Sequence, residues 1–403
     1  MLALEDIEAA SERIADLVVE TPIDRSGTFS DLTGASVYLK LEVFQRTGAF
    51  KLRGAANRIR TLSPSEREAG VVTASAGNHA QGVALAATES GVDATVVMPE
   101  EAAISKVSAT RSYGAEVRLE GVDYSAAQAI AYDLAESEGR TYVHAFDDPA
   151  IMAGQGTIGL EILDAVPDVD TVLVPIGGGG LIGGIATAIK ERNPEVRIVG
   201  VQAEGAASVP QSLKAGQIVE RDDVDTIADG IATRRVGDLT FEVMQAYVDT
   251  AVTVSDDEIA HTLTHLLERE KILVEPAGVV GLAALHHGRI PLEPDEVVVP
   301  VLSGGNVDLN VLTTIILRGL VETGRYVKLR TVLKDRPGAL EHLSGVIGRL
   351  SANIFAIRHD RTSKDVAMNA AEVELEIETR GPAHVQEVID GLEAEGYEVE
   401  LNP

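Results

Sequence analysis

The chain has 403 residues, with 34 Lys and Arg against 63 Asp and Glu, and therefore a formal net charge of -29. Such a surface repels nucleic acid and anionic membranes, so we expect neither as a partner. The chain has no cysteine, which excludes disulfides, thiolate metal sites and a cysteine nucleophile.

The acidic residues are spread along the chain rather than gathered in a tail. This distribution predicts a halophilic protein, because salt screens the self-repulsion of a strongly negative surface. No stretch reaches 18 apolar residues without a charge, and the first residues do not resemble a signal peptide. We therefore expect a cytoplasmic location.

Short runs rich in Val and Ile alternate with helix-length segments over about the first 320 residues. This alternation predicts parallel sheets covered by helices on both faces. Glycine-containing loops follow three predicted strands, after Ala74, Ile176 and Leu302. Loops at the carboxyl ends of parallel strands are expected to meet in one crevice. The predicted strands cover residues 71–74, 94–98, 115–119, 142–146, 171–176, 197–201 and 296–302, and the predicted helices cover 78–89, 105–113, 125–137 and 181–192.

The pattern changes from Tyr326 onward. A turn over 335–338 separates the first strand from a helix, and the second half repeats strand, helix and strand. The order βαββαβ is that of a ferredoxin-like unit. A helix over 309–321 is expected to close the first domain, so the sequence predicts domains 1–324 and 325–403. The predicted strands are 326–333, 353–359, 371–378 and 397–401, with helices 339–350 and 384–395.

Two features of the first domain favour pyridoxal-phosphate chemistry. Lys51 lies in the run Thr47-Gly48-Ala49-Phe50-Lys51-Leu52-Arg53-Gly54, and Gly177 to Gly180 open a predicted helix. A lysine amine can form a Schiff base with an aldehyde, and a glycine-rich helix start can bind a phosphate. The helix start at Ser75 to His79 suits a carboxylate, and its Asn78 amide suits a phenolic oxygen. Ser303 follows a strand and offers a hydroxyl.

These four motifs, in this order, resemble those of the fold-type II pyridoxal-phosphate enzymes, and within them the threonine dehydratases, or threonine ammonia-lyases. The resemblance covers about residues 5–320, while the tail resembles an ACT regulatory domain with its ligand turn at 335–340. It implies an α/β fold of two parallel-sheet subdomains followed by a ferredoxin-like ACT domain. It also implies a homotetramer.

The resemblance implies a role for each motif residue. Lys51 is the implied catalytic residue, which binds the cofactor and moves the substrate's α-proton. No metal site is implied. The implied cofactor-binding residues are Phe50, Lys51, Asn78, Gly177, Gly178, Gly179, Gly180, Leu181 and Ser303. The implied substrate-binding residues are Ser75, Gly77 and His79, and the implied effector-binding residues are Pro337, Gly338, Ala339 and Leu340.

The implied reaction is β-elimination of L-threonine, with L-serine as a second substrate, to 2-oxobutanoate or pyruvate and ammonia. A hydroxyl partner such as Ser303 leaves the pyridine nitrogen largely neutral, which favours elimination over transamination. The product leads towards isoleucine, so a branched-chain amino acid, isoleucine or valine, is the expected effector of the tail.

Three alternatives remain open at this point. A serine racemase would place a serine where this chain has Ala76, and would carry paired acids in the stretch 202–208, where Glu204 stands alone. A nicotinamide enzyme would explain the G-x-G-x-x-G match over 178–183 but not Lys51. A non-catalytic amino-acid sensor would use the tail alone.

The histidines outside the motifs give no metal pattern. His261, His265, His286 and His287 lack metal-ligand spacing with acids and are predicted to be surface residues. Glu275, in a predicted helix-start turn, is placed near the cofactor by the resemblance.

Overall fold

The computed structural model describes residues 2–362 and 366–402. The chain divides into two compact units, Met1–Leu309 and Asn310–Pro403. The division falls before the predicted boundary near Gly324, and it groups the helix over 309–321 with the tail. The end of this helix is bound to the tail, since the Gly324 carbonyl accepts a hydrogen bond from the Thr379 hydroxyl. The Thr379 N–H also donates to the Arg325 carbonyl at 2.9 Å.

The first unit contains two sheets with helices around them. Its strands are β1 (Ile23–Arg25), β2 (Ser36–Leu41), β3 (Val71–Ala74), β4 (Ala94–Met98), β5 (Glu116–Leu119), β6 (Thr141–Tyr142), β7 (Thr171–Pro175), β8 (Arg197–Ala203), β9 (Thr250–Val254) and β10 (Val297–Leu302). Its helices are α1 (Leu4–Ile14), α2 (Gly27–Thr33), α3 (Lys51–Arg60), α4 (Pro64–Ala69), α5 (Asn78–Glu89), α6 (Ile104–Ser112), α7 (Tyr124–Glu138), α8 (Pro149–Ala165), α9 (Gly180–Arg192), α10 (Val209–Ala215), α11 (Asp238–Tyr247), α12 (Asp256–His265) and α13 (Pro276–His286).

The larger sheet has six strands in the order β1-β2-β10-β7-β8-β9. All neighbours are parallel except β1, which pairs antiparallel with β2 at the edge. The central strands β7 and β10 are almost wholly buried, as expected for strands covered on both faces. Because β7 and β10 are parallel neighbours, the loops that follow them leave the sheet at the same end, the carboxyl end of the strands.

The smaller sheet has four parallel strands in the order β5-β4-β3-β6. Strand β6 ends at Tyr142, whereas the sequence predicts a strand as far as Phe146. The chain turns after Val143 because the Nδ1 atom of His144 accepts hydrogen bonds from the backbone N–H groups of Phe146 and Asp147, at 3.2 and 2.8 Å. A side-chain acceptor thus replaces the sheet ladder.

Helices α8 and α9 cross at a glycine-to-glycine contact beside the larger sheet. A Cβ atom added at Gly184 would lie 2.2 Å from the Met152 carbonyl oxygen and 2.6 Å from the Gly156 nitrogen. One added at Gly156 would lie 2.8 Å from the Gly184 carbonyl oxygen. Only residues without a side chain allow the two backbones to come this close.

The second unit is the predicted βαββαβ arrangement, preceded by a helix. Its antiparallel sheet has the order β12-β13-β11-β14, and the apolar faces of two helices cover it around buried residues such as Leu343 and Val388. Across residues 2–362 and 366–402, no helix is long and apolar enough to cross a membrane. The elements are α14 (Leu309–Glu322), β11 (Tyr326–Lys334), α15 (Ala339–Arg349), β12 (Asn353–Asp360), β13 (Ala370–Glu378), α16 (Pro382–Ala394) and β14 (Val399–Asn402).

Candidate active site

A cavity of about 840 Å³ lies where the loops that follow β3, β7 and β10 meet. The structure brings every predicted cofactor and substrate residue to its wall: Phe50, Lys51, Ser75, Gly77, Asn78, His79, Gly177, Gly178, Gly179, Gly180, Leu181 and Ser303. The four predicted effector residues belong to the second unit.

Lys51 is the first residue of α3 and projects its amine into this cavity. The Nζ atom donates a hydrogen bond to the Ala145 carbonyl at 2.9 Å and lies 5.1 Å from the centre of the Phe50 ring. Removal of the amine from water lowers the pKa of Lys51 to about 8, and the nearby Glu275 charge opposes this shift. A substantial fraction of the amine is therefore neutral near pH 8, as a nucleophile or base requires.

Helix α3 is held in place by a fully buried ion pair between Arg53, two residues after Lys51, and Glu42. The Arg53 guanidinium donates to both carboxylate oxygens of Glu42, at 2.8 and 2.9 Å, and neither side chain is exposed. Arg53 also donates to the Thr157 hydroxyl at 3.0 Å. Because the planar guanidinium pairs with both oxygens of the buried carboxylate, this network fixes the start of the helix and hence the position of Lys51.

The Asn78 side chain is held between two partners. Its Nδ2 atom donates to Glu275 Oε1 at 2.8 Å, and its Oδ1 atom accepts from Asn306 Nδ2 at 2.8 Å. Glu275 is only 6% exposed, and burial raises the pKa of its carboxyl to about 7, although the hydrogen bond from Asn78 opposes the shift. The amide is thus oriented within the cavity before any ligand arrives.

Helix α5 begins at Asn78 and presents the free N–H groups of its first turn to the cavity. Gly77, which precedes it, has nothing within 4 Å of where a Cβ atom would stand. The His79 ring points away, with its Nε2 atom 3.0 Å from the Val143 carbonyl. Burial lowers the pKa of His79 to about 3, so its ring is neutral. The group of His79 that remains available to bind a substrate carboxylate is therefore its backbone N–H.

The glycine loop after β7 is packed tightly against an aromatic ring. A Cβ atom at Gly178 would lie 2.3 Å from the Phe146 ring, and Gly179 has a φ of 95°, in the left-handed region. The Gly178 carbonyl accepts hydrogen bonds from the Thr240 hydroxyl at 2.7 Å and from the Gly237 N–H at 3.1 Å. The N-terminus of α9 follows directly, so the backbone N–H groups and the helix dipole at this loop suit an anion.

The segment His144–Asp147 lies between Lys51 and the glycine loop. Its first three residues were predicted only as the end of a strand over 142–146. The Ala145 carbonyl binds the Lys51 amine, Phe146 lies under the glycine loop, and Asp147 Oδ1 accepts from the backbone of Leu239 and Thr240 at 3.0 and 3.1 Å. Nothing in the local run of His144, Ala145, Phe146 and Asp147 indicated this role.

Ser303 follows β10 and is only 3% exposed. Its carbonyl accepts a hydrogen bond from the Phe50 N–H at 3.1 Å, which ties the serine to the residue before Lys51. Asn306 lies on the same loop and reaches Asn78. Asn306 was not predicted as a site residue, although it lies in the predicted glycine-containing loop after Leu302.

These residues fit pyridoxal phosphate. One wall of the cavity carries the Lys51 amine, whose pKa is lowered. A second wall is the glycine loop at the start of α9, which could bind a phosphate, and a third carries the buried hydroxyl of Ser303. The oriented Asn78 amide lies among them. An amine, an anion cradle and a hydroxyl around one cavity form the set of donors that this cofactor needs.

The four histidines predicted to lie on the surface are instead partly buried and packed together. Ring centres of His261, His286 and His287 are 4.7 to 5.2 Å apart. The prediction was wrong because the residues lie on two helices, α12 and the end of α13, that the sequence pattern did not place side by side.

In the second unit, Gly338 precedes α15 with a φ of 84°, and nothing lies within 4 Å of where its Cβ would stand. The predicted turn is therefore present, next to an open helix start at Ala339. Its role as a ligand site stays a prediction.

Comparisons with known proteins agree with this geometry. The family description "Pyridoxal-phosphate dependent enzyme" matches residues 14–304. An L-threonine ammonia-lyase of Thermotoga maritima is 47% identical over 401 residues, which is 100% of both chains.

Two solved structures are also similar. The processed form of threonine deaminase isoform 2 from Solanum lycopersicum is 40% identical with a TM-score of 0.76, over 78% of this chain and 92% of that chain. Maize serine racemase is 37% identical with a TM-score of 0.75, over 80% of this chain and 98% of that chain. The chain therefore belongs to the family of pyridoxal-phosphate dependent enzymes, and a relative that it matches along the full length of both chains is a threonine ammonia-lyase.

Proposed function

We propose that the protein is a threonine ammonia-lyase, which converts L-threonine to 2-oxobutanoate and ammonia, and L-serine to pyruvate and ammonia. The observation that carries this proposal is the meeting of Lys51, Asn78, the glycine loop and Ser303 around one cavity. The similarity to an L-threonine ammonia-lyase along the whole chain supports the same reaction. The glycine run is thereby assigned to pyridoxal phosphate rather than to a nicotinamide cofactor.

Lys51, Phe50, Asn78, the loop from Gly177 to Leu181 and Ser303 would hold the cofactor. Pyridoxal phosphate supplies an electron sink for negative charge at the substrate's Cα. The protein supplies the proton transfers and the positioning. Lys51 takes the proton from Cα, which its lowered pKa permits near neutral pH.

The substrate carboxylate would bind at the start of α5, where Ser75, Gly77 and the N–H of His79 line the cavity. The helix dipole and free N–H groups favour an anion there. This arrangement leaves the β-hydroxyl side of the substrate facing the rest of the cavity. The elimination removes that hydroxyl as water, and hydrolysis of the product enamine then releases ammonia.

The test of this assignment compares the two lysines that line the cavity among the described residues, Lys51 and Lys106. Lys51→Ala should lose the visible absorbance of the bound cofactor and at least about 10²-fold in ammonia release. Lys106→Ala should keep the absorbance. Retained absorbance and turnover in Lys51→Ala would place the cofactor on another lysine.

Serine racemisation is the second candidate, because maize serine racemase has a similar structure. Ala76 lines the cavity and has no hydroxyl to return a proton to the opposite face of Cα, which favours elimination. Incubation with L-serine followed by chiral chromatography separates the two. D-serine formed faster than pyruvate would make racemisation the main activity.

We further propose that the second unit is an ACT-type regulatory domain that binds isoleucine or valine at the turn of Pro337, Gly338, Ala339 and Leu340. The positive φ of Gly338 and the open start of α15 support this role. A homotetramer and a cytoplasmic location remain predictions. Light scattering of the purified protein and cell fractionation test them.

The effector proposal is tested with two glycines of the same unit. Gly338→Ala strains a left-handed residue, whereas Gly348→Ala lies within α15 and also has open space around it. Only Gly338→Ala should raise the effector concentration for half-maximal response. Substrate should weaken effector binding as much as the effector weakens substrate binding. A full-length enzyme that responds to no amino acid would make the unit an assembly module.

A further inference from the structure

Four histidines form a compact cluster outside the active-site cavity. His261 and His265 are four residues apart and therefore share one face of α12, while His286 and His287 end α13. Their ring centres are 4.9 Å apart for His261 and His265, and 5.2 Å apart for His265 and His286. None of the four lines the active-site cavity.

Three of these rings have nitrogen atoms close enough together to coordinate one metal ion. One ring nitrogen from each of His261, His286 and His287 lies within 4.8 Å of the other two. Nitrogens bound at about 2.0–2.1 Å to a tetrahedral zinc ion are roughly 3–4 Å apart. Small side-chain rotations on α12 and at the end of α13 would therefore bring the three nitrogens to the distances that a metal ion requires.

Hydrogen bonds leave suitable nitrogens for a metal. His286 Nδ1 is 3.1 Å from the Thr262 hydroxyl, and His287 Nδ1 is 4.0 Å from the Glu258 carboxylate. The Nε2 atom of His287 is buried and has no hydrogen-bond partner in the part of the chain that the structure describes. A carboxylate near one ring nitrogen, with the other nitrogen turned to a metal, is the usual arrangement of histidine ligands.

Burial favours the neutral form of two of the three rings. Burial lowers the pKa of His286 to about 4, and the neighbouring histidines add to the effect. Burial also lowers the pKa of His287, although Glu258 opposes the shift. Neutral imidazole is the form of histidine that binds metal ions.

We propose that His261, His286 and His287 form a binding site for a divalent transition-metal ion of the zinc type, with a fourth position open to water. Imidazole ligands suit Zn²⁺, Ni²⁺ and Cu²⁺, whereas Mg²⁺ and Ca²⁺ prefer oxygen. His265 lies beside the cluster as a further nitrogen donor. The site would join α12 to the end of α13, about 16 Å along that helix from Glu275.

The experiment titrates the chelator-treated, cofactor-loaded, full-length enzyme with Zn²⁺ in competition with a chromophoric zinc indicator. One Zn²⁺ should bind per chain, and Mg²⁺ should not compete. His261→Gln and His287→Gln should each weaken binding at least about 10-fold. Two controls should bind normally: His342→Gln, exposed in the second unit, and His144→Gln in the active-site cavity.

A second measurement protects the test against misfolded variants. Zn²⁺ should raise the thermal midpoint of the unmodified enzyme, and bound Co²⁺ should give the intense visible bands of a tetrahedral site. No zinc uptake, weak octahedral Co²⁺ bands, or equal binding by the cluster variants and the controls would each overturn the proposal. In those cases the four rings serve packing only.

Discussion

At the scale of single residues, burial shifts the pKa values of Lys51 and Glu275 in opposite directions, both towards neutral pH. Burial lowers the pKa of the lysine to about 8 and raises that of the glutamic acid to about 7. The two groups act on each other through charge, and Asn78 links Glu275 to the cavity. The site therefore contains a base and an acid whose charges both change close to neutral pH.

Ser303 is predicted to set the type of reaction through the ring nitrogen of the cofactor. Ser303→Asp should keep that nitrogen protonated and slow ammonia release, since a carboxylate stabilises the charged form. Ser303→Thr retains a hydroxyl, so its rate of ammonia release should fall much less than that of Ser303→Asp. Rates of 2-oxobutanoate formation and cofactor absorbance would be measured for both. Equal rates for the aspartate and threonine variants would contradict this role.

Glu275 predicts a pH dependence of stability. A carboxyl whose folded pKa is about 7, above its ordinary 4.5, holds its proton longer in the folded state. The free energy of unfolding should therefore fall as the pH rises from about 4.5 to 7, by roughly 1–3 kcal/mol. In Glu275→Gln, which keeps an acceptor for Asn78, this decline should be absent.

Urea unfolding of the cofactor-free enzyme at several pH values measures the effect. Subtracting the free energy of unfolding of Glu275→Gln from that of the unmodified protein at each pH removes the contribution of His79. That contribution has the opposite sign because the pKa of His79 is lowered in the folded state. Parallel profiles of the two proteins would show that Glu275 ionises normally.

At the scale of elements, the predicted bounds of the strands agree best with the structure where the apolar runs are continuous. Strands β3 and β4 have the predicted bounds, because every residue in them is buried. Strand β2 was missed because Lys40 interrupts its apolar pattern, although this lysine is fully buried and paired with Glu161. A partner 121 residues away cannot be recognised from local periodicity.

The cavity residues that were predicted each belong to a short local motif. Glycine spacing at 177–180 and the helix start at Asn78 are visible in the sequence itself. The bond between Asn78 and Glu275 joins residues 197 apart, and the histidine cluster depends on how α12 and α13 pack. Long-range contacts of this kind leave no periodic signal in one sequence.

The crossing of α8 and α9 gives an element-scale prediction. Gly184→Ala should push the two helices apart and destabilise the protein by roughly 1–3 kcal/mol. It should also weaken cofactor binding, since α9 carries the glycine loop. Gly183→Ala is the matched control, because its nearest neighbour is the flexible Met152 sulfur at 3.2 Å. Equal denaturation midpoints for the two variants would contradict the close contact.

At the scale of the whole molecule, the net charge of -29 predicts stability that depends on salt. Repulsion among exposed carboxylates should be large in dilute buffer and screened in molar KCl. The thermal midpoint should rise markedly over that range. Sucrose, which stabilises by exclusion without screening, is the control. Equal increases in KCl and sucrose would show that the charge excess does not govern stability.

The order of strands in the larger sheet has a consequence for biosynthesis. Strand β10 is the last strand of the first unit to be made, yet it lies between β2 and β7 in the middle of the sheet. Until residue 302 has left the ribosome, β2 and β7 have no strand between them, and Ser303 and Asn306 are missing from the cavity. Cofactor loading therefore has to follow translation of nearly the whole first unit. A nascent chain halted before this strand should carry Lys51 and the glycine loop and still be colourless.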